Sequence, residues 1–189
     1  MNAHPNPEHS GAAISILKIS PRDDTPIVIT SDGVGVDGVI ADDHVADDAN
    51  RSPPLQWSEV EGAQTWALIV EDPDAPREEP FVHWLIWNIP GQLTALPEGL
   101  ANFNRLISPQ DAVQGLNDMK SHGWFGPKPP PGHGVHHYYF QLFAVDGPLD
   151  LDPDVPLHTL VNALKGRVIA QGQLVGTFET PAQGNLATA

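Results

Sequence analysis

The sequence predicts a mainly β domain with one short helix near its end. Three features carry that prediction. Apolar runs of strand length recur between turn signals, at Thr65–Val70 (TWALIV), Phe81–Ile89 (FVHWLIWNI) and Val135–Val145 (VHHYYFQLFAV). Only the stretch from Leu157 has the apolar spacing of a helix face. Twenty prolines and 17 glycines punctuate the connections. A chain of 189 residues fits one domain, with enough core to need no covalent staples.

In chain order, residues 1–12 read as a disordered, polar tail with no periodicity, and residues 181–189 as a second tail. The domain spans 13–180. Ile14–Ile19 (ISILKI) and Pro26–Thr30 (PIVIT) are strand-like, being rich in β-branched residues. Ser31–Asn50 reads as loop with one short strand. Its acidic end, ADDHVADDAN, is a solvated turn, with cation binding as the alternative. Ser52–Trp57 (SPPLQW) is extended, because a residue before proline avoids the helical region. Gly62 marks a turn before Thr65–Val70. Pro90-Gly91 ends the run from Phe81, and a weakly structured connection follows to about Ser121. From Leu157, apolar residues fall at 157, 160, 161, 164 and 168. Asp154 can cap that helix, Pro156 suits its first turn, and Lys165 and Arg167 complement its dipole. Gln173–Phe178 (QLVGTF) is a final strand.

Composition excludes several functions. There is no cysteine, so disulfides, thiolate chemistry and Cys-based zinc sites are ruled out. Nine Lys and Arg residues against a net charge of −15 disfavour nucleic acid and anionic membrane surfaces. The first residues lack the basic and apolar regions of a signal peptide, and no run approaches the roughly 18 apolar residues of a membrane span. The expected location is the cytoplasm, with no stable membrane insertion.

The chemistry concentrates around Gly126–Tyr138 (GPKPPPGHGVHHY), which packs four prolines, three glycines and three histidines into thirteen residues. Proline fixes φ and removes a donor, so this is a rigid loop feeding a buried strand. Strand alternation then sorts the side chains. His136, Tyr138, Phe140 and Leu142 share one face, and His137 and Tyr139 the other. His83 shares a face with Leu85 and Trp87. Asp72, in EDPDAP, continues the phase of Trp66, Leu68 and Val70. Neighbouring strands would gather Asp72, His83, His136 and Tyr138 at one edge of the core. Two imidazoles and a phenol can donate to an anion, an Asp can orient an imidazole, and backbone N–H groups of 126–134 could add donors.

Blander readings stand beside this one. A single His on an apolar strand is commonly a satisfied core residue. DPDAP alone is commonly a turn. A metal could be held by His133, His136 and His137 with Asp72 or Asp74, but adjacent His136 and His137 point to opposite faces of a strand. Ser108 and Ser121 lack a nucleophile motif.

Ala67–Pro76 (ALIVEDPDAP), His83 through Asn88 (HWLIWN) and Gly126–Phe140 (GPKPPPGHGVHHYYF) occur in an order and spacing that resembles the phosphatidylethanolamine-binding protein family. The likeness is to its bacterial and archaeal YbhB/YbcL, Raf-kinase-inhibitor-like branch. SPPLQW, LPEG, GLND and LVGTF extend it over most of residues 14–178. The resemblance implies an antiparallel β-sandwich, a large central sheet on a smaller one, with one or two short helices and an anion pocket at one end. It assigns Asp72, Asp74, Phe81, His83, Gly126, Pro130, His136 and Tyr138 to that pocket, with Gly126 and Pro130 at its mouth. It further implies cis peptide bonds before Pro73 and Pro76. His137 stands where the family usually has Arg.

The expected function is binding of a phosphate-bearing small molecule or lipid headgroup, with no cofactor and no catalysis. The alternatives are inhibition of a kinase or protease by protein contact, and a hydrolase using His136 or His83 as base. Exposed strand edges would allow a homodimer.

Overall fold

The computed structural model describes residues 14–182. Both predicted tails, 1–12 and most of 181–189, lie outside the described residues.

Among the described residues eight strands form two antiparallel sheets. The three-stranded sheet has β1 (Ile29–Thr30), β2 (Leu55–Trp57) and β5 (Ala95–Leu96) in the order β1-β2-β5. The five-stranded sheet is built from β3 (Thr65–Asp72), β4 (Phe81–Pro90), β6 (Val113–Gln114), β7 (His136–Val145) and β8 (Val168–Phe178). Its order is β6-β4-β3-β7-β8, so β3, the most apolar run, sits at the centre with all eight residues buried. That burial on both faces explains why TWALIV is continuous rather than alternating.

The two faces of the large sheet carry separate cores. Trp66, Leu68, Val70, Trp84, Phe140 and Leu142 pack towards the small sheet, against Leu55, Trp57 and Leu96. Ala67, Ile69, Leu85, Phe143 and Val145 face the other way, under α1 (Leu157–Leu164), which contributes Leu160, Val161 and Leu164.

Four local expectations are corrected. Ser15–Lys18 is a turn of 3-10 helix, not strand. The Ser15 amide donates to Glu71 Oε2 (2.8 Å) and the Ile16 amide to Gln141 Oε1 (2.6 Å), so side chains satisfy a backbone that would otherwise need a ladder. The helix stops at Leu164 rather than running to 168. Gly166 takes φ +75°, and Val168 already opens β8. Pro156 occupies the N-cap with no side-chain cap bond, which leaves Asp154 too far back to cap. Its Oδ1 instead lies 3.2 Å from His122 Nε2. Finally, among the described residues the one cis peptide is Ser108-Pro109, so the bonds before Pro73 and Pro76 are trans.

Candidate functional site

The site forms where β3, β4 and β7 meet the proline-rich loop. Alternation along β3 carries Trp66, Leu68 and Val70 into the inter-sheet core and delivers Asp72 to the same side at the strand's end. Alternation along β7 does the same for His136 and Tyr138. Both carry out the sequence expectation. His137 and Tyr139 are half-buried on the other face.

His83 arrives differently. Val70 pairs with Trp84 but the next residue, Glu71, pairs with Val82, so His83 is the extra residue of a β-bulge. The bulge reverses the phase of the strand end. His83 therefore lies on the face of Trp84 and Tyr138, not on that of Leu85 and Trp87 as simple alternation predicts. Its ring is edge-on to Tyr138 at 5.0 Å between centroids and stacks on Phe125 at 5.9 Å.

Together these groups line a cavity of about 150 Å³, with Phe81, Phe125, Lys128 and Pro130 among its walls. Asp72, His83, His136 and Tyr138 are each no more than 3% exposed. Asp72 Oδ2 accepts from His136 Nδ1–H at 2.7 Å, and Asp72 Oδ1 accepts from the Asp74 amide at 2.8 Å. The carboxylate thereby fixes the His136 tautomer and leaves Nε2 as the working nitrogen. His133 Nδ1 lies 2.7 Å from that Nε2. In a neutral His136 the proton of this contact belongs to His133; in a charged one, His136 donates. His83 Nδ1–H donates to the Phe125 carbonyl at 2.6 Å, again leaving Nε2 uncommitted. The Tyr138 hydroxyl is buried with no hydrogen-bond partner among the described residues. Burial raises its pKa, with the Asp72 and Asp74 charges adding to the rise, so it stays a donor; the Lys128 backbone pulls the other way without closing a bond.

Burial also pushes the His83 pKa below its ordinary value of 6.5, while the Phe125 carbonyl and the Asp72 charge oppose the shift. His83 is therefore neutral at pH 7. Below pH 6.5 the unfolded chain binds more protons than the native state at this position, so stability is present above that pH and is lost as pH falls. Urea unfolding against pH should show this slope, and His83→Gln should flatten it. An unchanged slope would mean that the imidazole is not desolvated.

Not every sequence candidate reaches the cavity. Asp74 does not line it; its Oδ2 accepts from the His137 amide (2.9 Å) and His137 Nδ1–H (2.7 Å). His137 thus occupies the ion-pair position on the outer face. Gly126 is a packing residue rather than a mouth residue. A Cβ there would collide with the His44 carbonyl, and its amide donates to Asn50 Oδ1 at 2.8 Å. The amides of Gly132 and His133 are taken by Thr180 and Pro130 carbonyls, so they are not spare anion donors. Pro130 does line the cavity. Sequence reasoning missed Lys128 and Phe125. Lys128 is the only Lys or Arg in the loop and pairs with Asp47 at the cavity's edge. Within the acidic 41–50 segment, Asp42–His44 is a short 3-10 turn; His44 and Val45 are buried and pack against Gly126, while most of the acidic side chains are exposed. Among the described residues no three His, Asp or Glu side chains converge as a metal site. No helix among them is long and apolar enough to cross a membrane.

Comparison with known proteins bears on this arrangement. The family model described as phosphatidylethanolamine-binding protein matches residues 30–179. A UPF0098 protein of Methanothermobacter thermautotrophicus is 42% identical over 142 residues, covering 75% of this chain and 91% of that protein. A UPF0098 relative from Pyrococcus horikoshii is 42% identical over 129 residues, which span 68% of this chain and 64% of the relative. Among solved structures, Escherichia coli YbcL, described as a new member of the mammalian PEBP family, superposes with a TM-score of 0.75 at 30% identity. That match covers 81% of this chain and 98% of YbcL. A phosphatidylethanolamine-binding protein homologue from Chlamydia trachomatis matches with a TM-score of 0.71 at 31% identity, covering 82% and 97%.

Proposed function

This chain belongs to the phosphatidylethanolamine-binding protein family, and on that footing we propose that its inter-strand pocket binds the phosphate group of a small molecule or lipid headgroup. The observation that carries the proposal is the Tyr138 hydroxyl. A buried hydroxyl with no partner costs about 1–3 kcal/mol, a cost that a bound acceptor removes. His83 Nε2 and His136 Nε2 face the same cavity. A phosphate oxygen would take the place of His133 against His136 and accept from Tyr138. His83 is neutral at pH 7, Asp72 offsets any charge on His136, and Lys128 is paired with Asp47, so the pocket lacks net positive charge. Anion binding therefore draws in a proton, and affinity should rise as pH falls. The volume of about 150 Å³ suits a headgroup and leaves no room for acyl chains. On this reading the pocket acts as a receptor for the phosphate group.

Titration of the histidine NMR signals with inorganic phosphate and with O-phosphoethanolamine tests this, with chloride and ethanolamine as controls. Both phosphates should shift the His83 and His136 resonances. Tyr138→Phe should weaken phosphate binding by about tenfold or more, since a hydrogen bond to a charged group contributes about 1.5–3 kcal/mol. The same variant should be no less stable than the parent. Equal phosphate affinity in parent and Tyr138→Phe would remove the proposal's main support.

A further inference from the structure

A second cavity lies on the opposite face of the same strand ends, between α1 and the β3–β4 connection. It is a groove of about 510 Å³. Along β3, alternation sends Asp72 into the first pocket and Glu71 into this one, and on β4 the bulge separates His83 from Val82 in the same way.

Its charges are unusual for this chain. Of nine Lys and Arg residues, six pair with a carboxylate: Arg22, Arg51, Arg77, Lys120, Lys128 and Arg167. The other three, Lys18, Arg105 and Lys165, have no carboxylate partner among the described residues, and two of them, Lys18 and Lys165, line the groove. Arg77, Asp118 and Glu79 also line the groove, with Arg77 and Asp118 paired to each other, so the two ammonium groups that no carboxylate contacts are the ones left to meet an external anion. The wall holds a complementary group. Glu71 is fully buried, and its Oε2 accepts from the Ser15 amide and Gln141 Nε2, yet its Oε1 has no partner among the described residues. Val82, Leu157 and Val161 give the groove an apolar side.

We propose that this groove binds a small zwitterion of the amino-acid type, its ammonium on Glu71 Oε1, its carboxylate between Lys18 and Lys165, and an apolar side chain on Val82, Leu157 and Val161. This site is separate from the phosphate pocket and does not depend on it. A donor at Glu71 would satisfy a buried carboxylate oxygen that the described residues leave unpaired, and a cationic donor there would oppose the burial that raises the Glu71 pKa. Two lysines lining one groove suit a carboxylate as point charges.

The test uses the full-length chain and three probes in amide NMR titrations: leucine, leucinamide, which lacks the carboxylate, and N-acetylleucine, which lacks the ammonium. Leucine should shift the amides of Val82, Leu157 and Val161, and bind about tenfold or more tightly than either analogue. The exposed double variant Lys18→Ala/Lys165→Ala should bring leucine down to the level of leucinamide. Glu71→Gln should bring it down to the level of N-acetylleucine. The proposal is overturned if leucine leaves those amides unmoved, if the three probes bind alike, or if the double lysine variant binds leucine as the parent does. Neither variant should alter the phosphate-induced shifts at His83 and His136, which keeps this result independent of the first pocket.

Discussion

Asp72→Ala should cost the fold about 3–5 kcal/mol, the loss expected when one partner of a buried ion pair is removed. Asp72 and His136 are almost fully enclosed, and their contact is 2.7 Å. Without the carboxylate, His136 Nδ1–H and the Asp74 amide both lose their acceptor. His136→Ala should cost a similar amount, because it leaves a desolvated carboxylate uncompensated. The double variant should cost clearly less than the two single losses together, since the second change removes a group already orphaned by the first. Urea unfolding of the four proteins measures this coupling. Strict additivity would show that the two side chains do not act as a pair, and the account of how His136 is oriented would then fail.

Trp84→Ala should be as damaging, by about 3–5 kcal/mol, through loss of a large buried side chain and the cavity left behind. Trp84 is fully buried beside the bulge and packs edge-on to Trp124 at 5.9 Å. Trp124 in turn stacks on Phe140 at 5.7 Å and donates to the His44 carbonyl at 2.9 Å. The Trp84 indole also donates to Gln114 Oε1 at 2.8 Å, while Gln114 Nε2 holds the Ala101 and Phe103 carbonyls. Truncation thus removes packing behind His83 and leaves a buried amide oxygen unpaired. Phosphate binding should weaken with it, because Trp84 supports the wall that carries His83. A loss below about 1 kcal/mol would mean the core collapses around the gap, contrary to the close packing described.

How far the site could be read in advance depends on strand phase. Asp72, His136 and Tyr138 were legible because β3 and β7 run in regular register up to the residues that matter. Simple alternation puts His83 on the face of Leu85 and Trp87 rather than that of Trp84, since a bulge is a pairing property and leaves no mark in one strand's own alternation. Phe125 and Lys128 went unseen because loop residues have no period to reveal where they point. Gly126 was misplaced for a related reason: its constraint comes from the His44 carbonyl, 82 positions away in the chain. The 14–18 segment looked like strand because it is apolar and branched, but Glu71 and Gln141 supply its hydrogen-bond partners from the sheet face. The long apolar runs, by contrast, became the central strands as expected, because nothing in the fold competes with their burial. The groove under α1 draws on residues from Lys18 to Lys165 and has no signature in any one stretch.

The central claim is that the pocket between β3, β4 and β7 receives a phosphate group. A crystal structure determined with O-phosphoethanolamine settles it most directly. The account predicts tetrahedral density within hydrogen-bond distance of the Tyr138 hydroxyl and His136 Nε2, with the His133 ring displaced. Density absent from the cavity, with His133 still against His136 at saturating ligand, would contradict it.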